Sequence, residues 1–204
     1  MRLASLLAPP LCVACRFPCR HGAPLCPACN RALDYLGATS VALRGVRIWA
    51  PLAYEGPARA VVGRLKFHGA TALADHMAAT IAANAPAGLL AHPLVPVPSA
   101  PARRRRRGFC HAEVLAERLA ARTGLPVLGL LERVGSARPQ VGRPRARRLR
   151  SPPRFAAARA QPGPVVLVDD VVTTGATLGA CAQALREAGC TCDHALAYAR
   201  TPVR

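Results

Sequence analysis

The stretch from Pro164 to Ala199 constrains the fold more than any other. Four apolar residues, Val165 to Val168, run straight into Asp169 and Asp170. "VVTTGAT" follows, then Thr177 to Gly189 carries Leu178, Cys181, Ala182 and Leu185 at helical spacing, and "CDHALAYA" returns as an apolar run. A buried strand, a crossover helix and a second strand imply a parallel pair with a right-handed connection. Continuous apolar strands need cover on both faces, so an α/β domain with a central parallel sheet flanked by helices is expected. Ligands of such sheets bind beyond the carboxyl ends of the strands. The two carboxylates and the hydroxyl-rich turn stand at such an end.

The residue types in this turn suit a particular ligand. A turn leading from a parallel strand into a helix presents successive backbone N–H groups, and the helix N-terminus adds partial positive charge, so it favours a phosphate. Gly175 lets the backbone approach closely, while Thr173, Thr174 and Thr177 supply hydroxyl donors. As carboxylates, Asp169 and Asp170 only accept hydrogen bonds; they suit the vicinal hydroxyls of a sugar or a hydrated Mg²⁺, and they repel phosphate. Diol at the acids and phosphate in the turn describe a ribose 5-phosphate. The plainer alternative is a helix N-cap at Thr174 or Thr177 with an exposed Asp. Other nucleotide signatures fail: the one lysine, Lys66, precedes Phe67 rather than Ser or Thr, and no G-x-G-x-x-G follows a strand.

Cys12 and Cys15, then Cys26 and Cys29, form two C-x₂-C knuckles ten residues apart. Two such knuckles close a tetrahedral Zn²⁺ site, structural because protein fills all four positions. Residues 1–40 read as a small zinc-binding module without an apolar core of its own, in which the metal supplies much of the folding free energy; residues 41–204 read as the α/β domain. Cys19 and His21 lie between the knuckles as alternative ligands. Cys110, Cys181, Cys190 and Cys192 read as small core residues, the last two with some exposure. Nine cysteines without an export signal point to thiols and metal ligands, hence to the cytoplasm with a chain starting at Met1.

Between these ends, "VRIWAPLAY" reads as strand. "GPARAVVGRLKF" reads as a helix with Ala60, Val61, Arg64 and Leu65 as its stripe, and residues 71–85 as a second helix. "PLVPVP" is a short strand, and "GFCHAEVLAERLAARTG" a helix with Val114, Leu115, Arg118 and Leu119 recurring. "LPVLGLLERV" suggests another strand. From Gly135 to about Pro164 the chain is rich in Arg and Pro without a period, so a long loop is expected. No apolar run reaches the ~18 residues that span a membrane.

Net charge is +18, but 27 of 28 basic residues are Arg, which points to coding bias as well as function. Placement says more. "RRRRR" at Arg103 to Arg107 and a second group from Arg133 to Arg154 form either solvated basic loops or an anion site built from two segments.

At this point "VVLVDDVVTTGAT" resembles the phosphoribosyl pyrophosphate (PRPP) signature of type I phosphoribosyltransferases. With the paired knuckles, "LKF" (Leu65 to Phe67), "VPVP" (Val95 to Pro98), "RGF" (Arg107 to Phe109) and "PQVGRPRARRLRSPPRF" (Pro139 to Phe155), nearly the whole chain is similar to the ComF family of competence-associated proteins. The resemblance implies a phosphoribosyltransferase-like parallel sheet behind a zinc-ribbon-like module. It implies catalysis through Asp169 and Asp170, which would hold the ribose and Mg²⁺. PRPP binding would fall to Val171, Thr173, Thr174, Gly175, Ala176, Thr177, Ser99, Lys66 and Arg107. Pro98 to Ala100 would be the pyrophosphate loop, and residues 135–150 a cover over it. The family usually continues Arg-Gly-Phe as Asn-Gln-Ala, whereas Cys110 and His111 stand here, and Ser151 replaces an expected Asn. The implied function is Mg²⁺-dependent transfer of ribose 5-phosphate from PRPP to an unnamed acceptor, associated with DNA uptake. The alternative is a non-catalytic competence factor that binds single-stranded DNA and uses PRPP only as a ligand; its DNA affinity would fall steeply with salt. Phe109 and Phe155 are its expected stacking platforms, and competence or DNA-processing proteins its expected partners.

Overall fold

The computed structural model describes residues 10–20, 22–68, 71–134, 153–159 and 161–202, without the side chains of residues 66–68, 71, 72, 106 and 107. His21, Ser151 and the expected cover at residues 135–150 therefore lie outside the described residues. The elements in chain order begin with α1 (Pro27–Arg31), β1 (Val41–Leu43), β2 (Val46–Trp49) and β3 (Leu52–Ala53). Then come α2 (Gly56–His68), α3 (Thr71–Asn84), β4 (Leu94–Pro96), α4 (Pro101–Arg107) and α5 (His111–Thr123). The chain continues through β5 (Leu131–Val134), β6 (Arg154–Ala157), β7 (Gly163–Val172), α6 (Ala176–Glu187) and β8 (Cys190–Arg200).

The molecule is a mixed α/β fold around a mostly parallel sheet. Its strand order is β1-β2-β8-β7-β4, with β3 also pairing β8. The β2–β8, β3–β8, β7–β8 and β4–β7 ladders are parallel, and β1–β2 is antiparallel. Arg44 (φ 53°) and Gly45 (φ 75°) make the two-residue turn of that hairpin, in the left-handed region that such turns require. The unit β7–α6–β8 is the one its sequence predicts, and Leu178, Cys181, Ala182 and Leu185 are all buried.

One apolar layer lies between the sheet and α2, α3 and α5, and includes Val62, Leu65, Met77, Leu115, Val166, Val168 and Tyr198. The other lies under α6 and the β5–β6 arm and includes Leu131, Leu167, Leu178, Leu185 and Ala197. The N-terminal cysteine-bearing segment contributes to the first. Cys12, Leu25, Cys26 and Leu33 belong to the same cluster as Trp49 and Leu52. The Trp49 indole N–H donates to Gly37 O at 3.0 Å, and the Ala53 amide to Asp34 O at 2.9 Å. Residues that cannot enclose a core by themselves thus bury their apolar side chains in a shared one.

Several boundaries differ from the sequence expectations. β7 extends to Val172, so both carboxylates lie within the strand. The long partner β8 keeps pairing there, with Asp169 opposite Ala197 and Val172 opposite Arg200. The expected loop before Pro164 contains β6, which pairs antiparallel with β5 as a separate two-stranded arm. A strand whose partner is some twenty residues away leaves no local period to read. The basic run forms α4, a seven-residue helix that starts on Pro101 and ends at Gly108 (φ 81°). In α2 the buried stripe is Ala58, Val61, Val62 and Leu65; in α5 it is Ala112, Leu115, Ala116 and Leu119, with Arg118 exposed. Cys190 and Cys192 are both buried. Burial pushes the Cys192 thiol up to about 12 and raises that of Cys181, so neither is poised to react. Among the described residues no helix is long and apolar enough to cross a membrane.

Candidate functional site

The carboxyl ends of β4 and β7 lie side by side, because the Val97 amide donates to Val168 O at 3.0 Å and Pro96 registers with Val168. The loop Pro98 to Ala100 therefore leaves β4 next to Asp169 and Asp170. Above these ends opens a cavity of about 320 Å³, bordered by Pro98, Ser99 and Ala100, by Asp169 and Asp170, and by Arg103, His111 and Arg133. This volume is near the lower end for small-molecule sites, roughly 300 Å³. A smaller hollow of about 50 Å³ lies in the turn after β7, formed by Val171 through Leu178 with Asp169 as one wall. Asp169, Val171 and Thr177 border both spaces.

Successive strand residues point to opposite faces, so the two acids leave β7 on different sides, yet both reach the cavity over the strand end. Asp169 is half-buried, and its Oδ1 accepts the Asp170 amide at 2.8 Å. Asp170 is buried, with Oδ2 3.9 Å from Nδ1 of His111 at the start of α5. The His111 ring stands at 87° to Phe109 with centroids 5.5 Å apart.

In the turn, Thr173 and Thr174 are exposed and Thr177 is half-buried. Thr174 Oγ1 accepts the Ala176 amide at 3.4 Å, a long bond; the residue at the N-cap of α6 is Gly175, not a threonine. Gly175 lines the smaller hollow and also meets the protein's own packing behind the turn. It has φ 70°, and a Cβ there would lie 2.7 Å from Leu43 Cβ, so the close approach is to β1, which packs behind the turn.

Among the described residues, two cations from separate segments border the cavity. Arg103 comes from α4, while its neighbour Arg104 turns to Glu113 at 3.1 Å. Arg133 comes from β5 and lies 5.7 Å over the Phe155 ring of β6. Burial, and then the charge of Arg103, lower the proton affinity of the Arg133 guanidinium. Like charges held near each other beside a cavity favour an anion between them. Sequence reasoning grouped Arg133 with the basic loops; its pairing with Phe155 exists only once β5 and β6 meet.

Ser99 borders the cavity, and its Oγ donates to Cys110 Sγ at 3.2 Å. Lys66 falls in the last turn of α2 and Arg107 in the last position of α4, with their side chains outside the described residues. Of the aromatic platforms expected beside arginines, Phe155 is covered by Arg133 and Phe109 is half-buried against His111. Phe17, adjacent to Arg16, is instead 67% exposed; the dipeptide was visible in the sequence, its exposure was not.

The ligand atoms of Cys12, Cys15, Cys26 and Cys29 all lie within 4.8 Å of one another, with Cys15 and Cys26 sulfurs 3.6 Å apart. Tetrahedral zinc with bonds near 2.3 Å sets its sulfurs about 3.8 Å apart, so these four cysteines fit and could hold a zinc ion. The Cys29 amide donates to Cys26 Sγ at 3.4 Å, a knuckle contact. Burial pushes the Cys12 thiol up, but the amides of Cys15, Cys26 and Ala14 outweigh it and hold the group down at about 6. Cys19 is not one of the four: its thiol points to Phe17 O at 3.6 Å, and burial, with Cys12 beside it, raises its pKa.

No family model matches the chain, and no curated protein matches it. Among the solved structures similar to it are two that follow. One, described as the allosteric regulatory enzyme of purine biosynthesis, is 21% identical over 67% of this chain and 26% of its own, with a TM-score of 0.38. The other, orotate phosphoribosyltransferase from Aeropyrum pernix, is 20% identical over 78% of this chain and 72% of its own, also with a TM-score of 0.38. This chain thus spans about a quarter of the length of the first.

Proposed function

We propose that the protein binds PRPP in the two adjacent hollows at the end of β7 and transfers its ribose 5-phosphate to an acceptor with release of pyrophosphate. The observation that carries this reading is the wall shared by the two spaces: Asp169 and Thr177 border both. A ligand with a phosphate at one end, a diol in the middle and a diphosphate at the other would meet amides and hydroxyls, then carboxylates, then Arg103 and Arg133. In this reading the turn from Val171 to Thr177 takes the 5-phosphate, and Asp169 and Asp170 accept hydrogen bonds from the ribose hydroxyls. Ser99 and Arg103 border the space the diphosphate would take, and Arg107 and Lys66 are assigned to PRPP on the sequence resemblance alone.

Mg²⁺ would accompany the ligand, since the carboxylates and a diphosphate both provide the oxygen donors it takes. When bound, it would neutralise charge on the departing diphosphate. The chain's own part is to align the sugar and to place Arg103 and Arg133 where negative charge grows as the anomeric C–O bond breaks. The zinc module at residues 1–40 would be a structural support for residues 41–204. The front knuckles together with this site favour a cytoplasmic protein of the competence-associated ComF type.

The test is calorimetric titration with PRPP and Mg²⁺. Binding is expected for the wild type and is expected to vanish when Asp169→Asn is combined with Asp170→Asn. Undiminished binding by the double variant contradicts the assignment.

A further inference from the structure

We infer that His111 is the positioning residue for Asp170, holding that carboxylate toward the ligand so that it can receive a sugar hydroxyl. This inference rests on the PRPP-site reading and names a residue that reading leaves without a role. Asp169 has its orientation set by its own strand, through the bond its Oδ1 accepts from the Asp170 amide at 2.8 Å. Asp170 leaves the strand on the opposite face, toward α5, where His111 is the first helical residue. The two side chains are 8% and 6% exposed and stand 3.9 Å apart between Nδ1 and Oδ2. Both border the larger cavity.

The imidazole is itself restrained. Its residue opens a helix whose next turns are packed into the core through Leu115 and Leu119, and Phe109 meets its ring at 87°. A carboxylate beside one ring nitrogen favours the tautomer that carries its proton there. Nδ1–H then faces Oδ2 and fixes which carboxylate edge meets the cavity. At 3.9 Å the pair is looser than a hydrogen bond; contacts of this kind commonly tighten when the ligand completes the site. Burial is what makes the arrangement matter, because a carboxylate out of water loses much more from a misplaced partner than an exposed one does.

Two variants and one spectroscopic measurement test this. His111→Leu fills the space without a donor, whereas His111→Asn places an amide N–H near the position of Nδ1. Titrated with PRPP and Mg²⁺, the Leu variant should bind roughly tenfold to hundredfold more weakly than wild type, the range for losing a hydrogen bond to a charged group. The Asn variant should recover most of that loss. Inorganic phosphate affinity at the turn, read from the amide shifts of Thr173 to Thr177, should be the same in all three, because His111 does not line that hollow. Wild-type affinity in the Leu variant, or an Asn variant as weak as Leu, overturns the inference while leaving the PRPP reading intact. No PRPP binding by the wild type removes that reading and the inference with it. Should the Leu variant fail to fold, ¹⁵N NMR of the wild-type imidazole decides: a protonated Nδ1 whose resonance moves on Asp170→Asn supports the pairing, and an unprotonated Nδ1 overturns it.

Discussion

Gly175 answers to the protein's own packing behind the turn as well as to any ligand in front of it. Its place in a phosphate-binding turn invites the view that it lets a ligand come close. In the structure its φ of 70° and the Leu43 Cβ behind it exclude a side chain from the protein's own interior. Gly175→Ala therefore combines left-handed strain with a collision against β1, about 2–4 kcal/mol in all. On a chain of this size, that should lower Tm by on the order of 10 °C, measurable by calorimetric or circular-dichroism melting. A melting temperature within a degree of wild type would contradict this account of the turn. His111 presents the converse case. In the sequence it was only a departure from a pattern, since nothing local announces that the first residue of α5 will meet the second acid of β7 across the sheet.

Among the elements, those with strong local signals were legible and those made by distant pairing were not. The strand Val165 to Val168 and the helix bearing Leu178, Cys181, Ala182 and Leu185 follow from apolar run and period alone. The arm of β5 and β6 does not, because four-residue strands hold each other in place only after the intervening chain has closed. With the arm went the most informative cation, Arg133 over Phe155. The knuckles were legible as a cluster that could hold zinc, but their support was not. The module's Leu25 and Leu33 share a core with Trp49. Trp49 is the only tryptophan of the chain, fully buried and bonded to Gly37 O, so it reports on this seam. Removing zinc with a chelator should shift its fluorescence to longer wavelength as the module loosens and water reaches the indole. Zinc loss with unchanged emission would show that the knuckles do not support that core.

For the molecule as a whole, one edge of the sheet collects its chemistry. The sheet ends at β4 and β7 bring together two acids, a threonine-bearing turn, and cations from α4 and β5, while the N-terminal segment with the four cysteines shares the core under α2 and α3. The charge of +18 finds a local use where Arg103 and Arg133 flank the larger cavity. In the function proposed above, a phosphate ester of a sugar would sit in the turn after β7 with its hydroxyls at the neighbouring acids. Backbone amide NMR during titration with ribose 5-phosphate addresses it residue by residue. The amides of Thr173 to Thr177 should show the largest shifts, with smaller ones at Asp169 and Asp170. Saturable binding that leaves those amides unmoved and perturbs another part of the protein would contradict the claim.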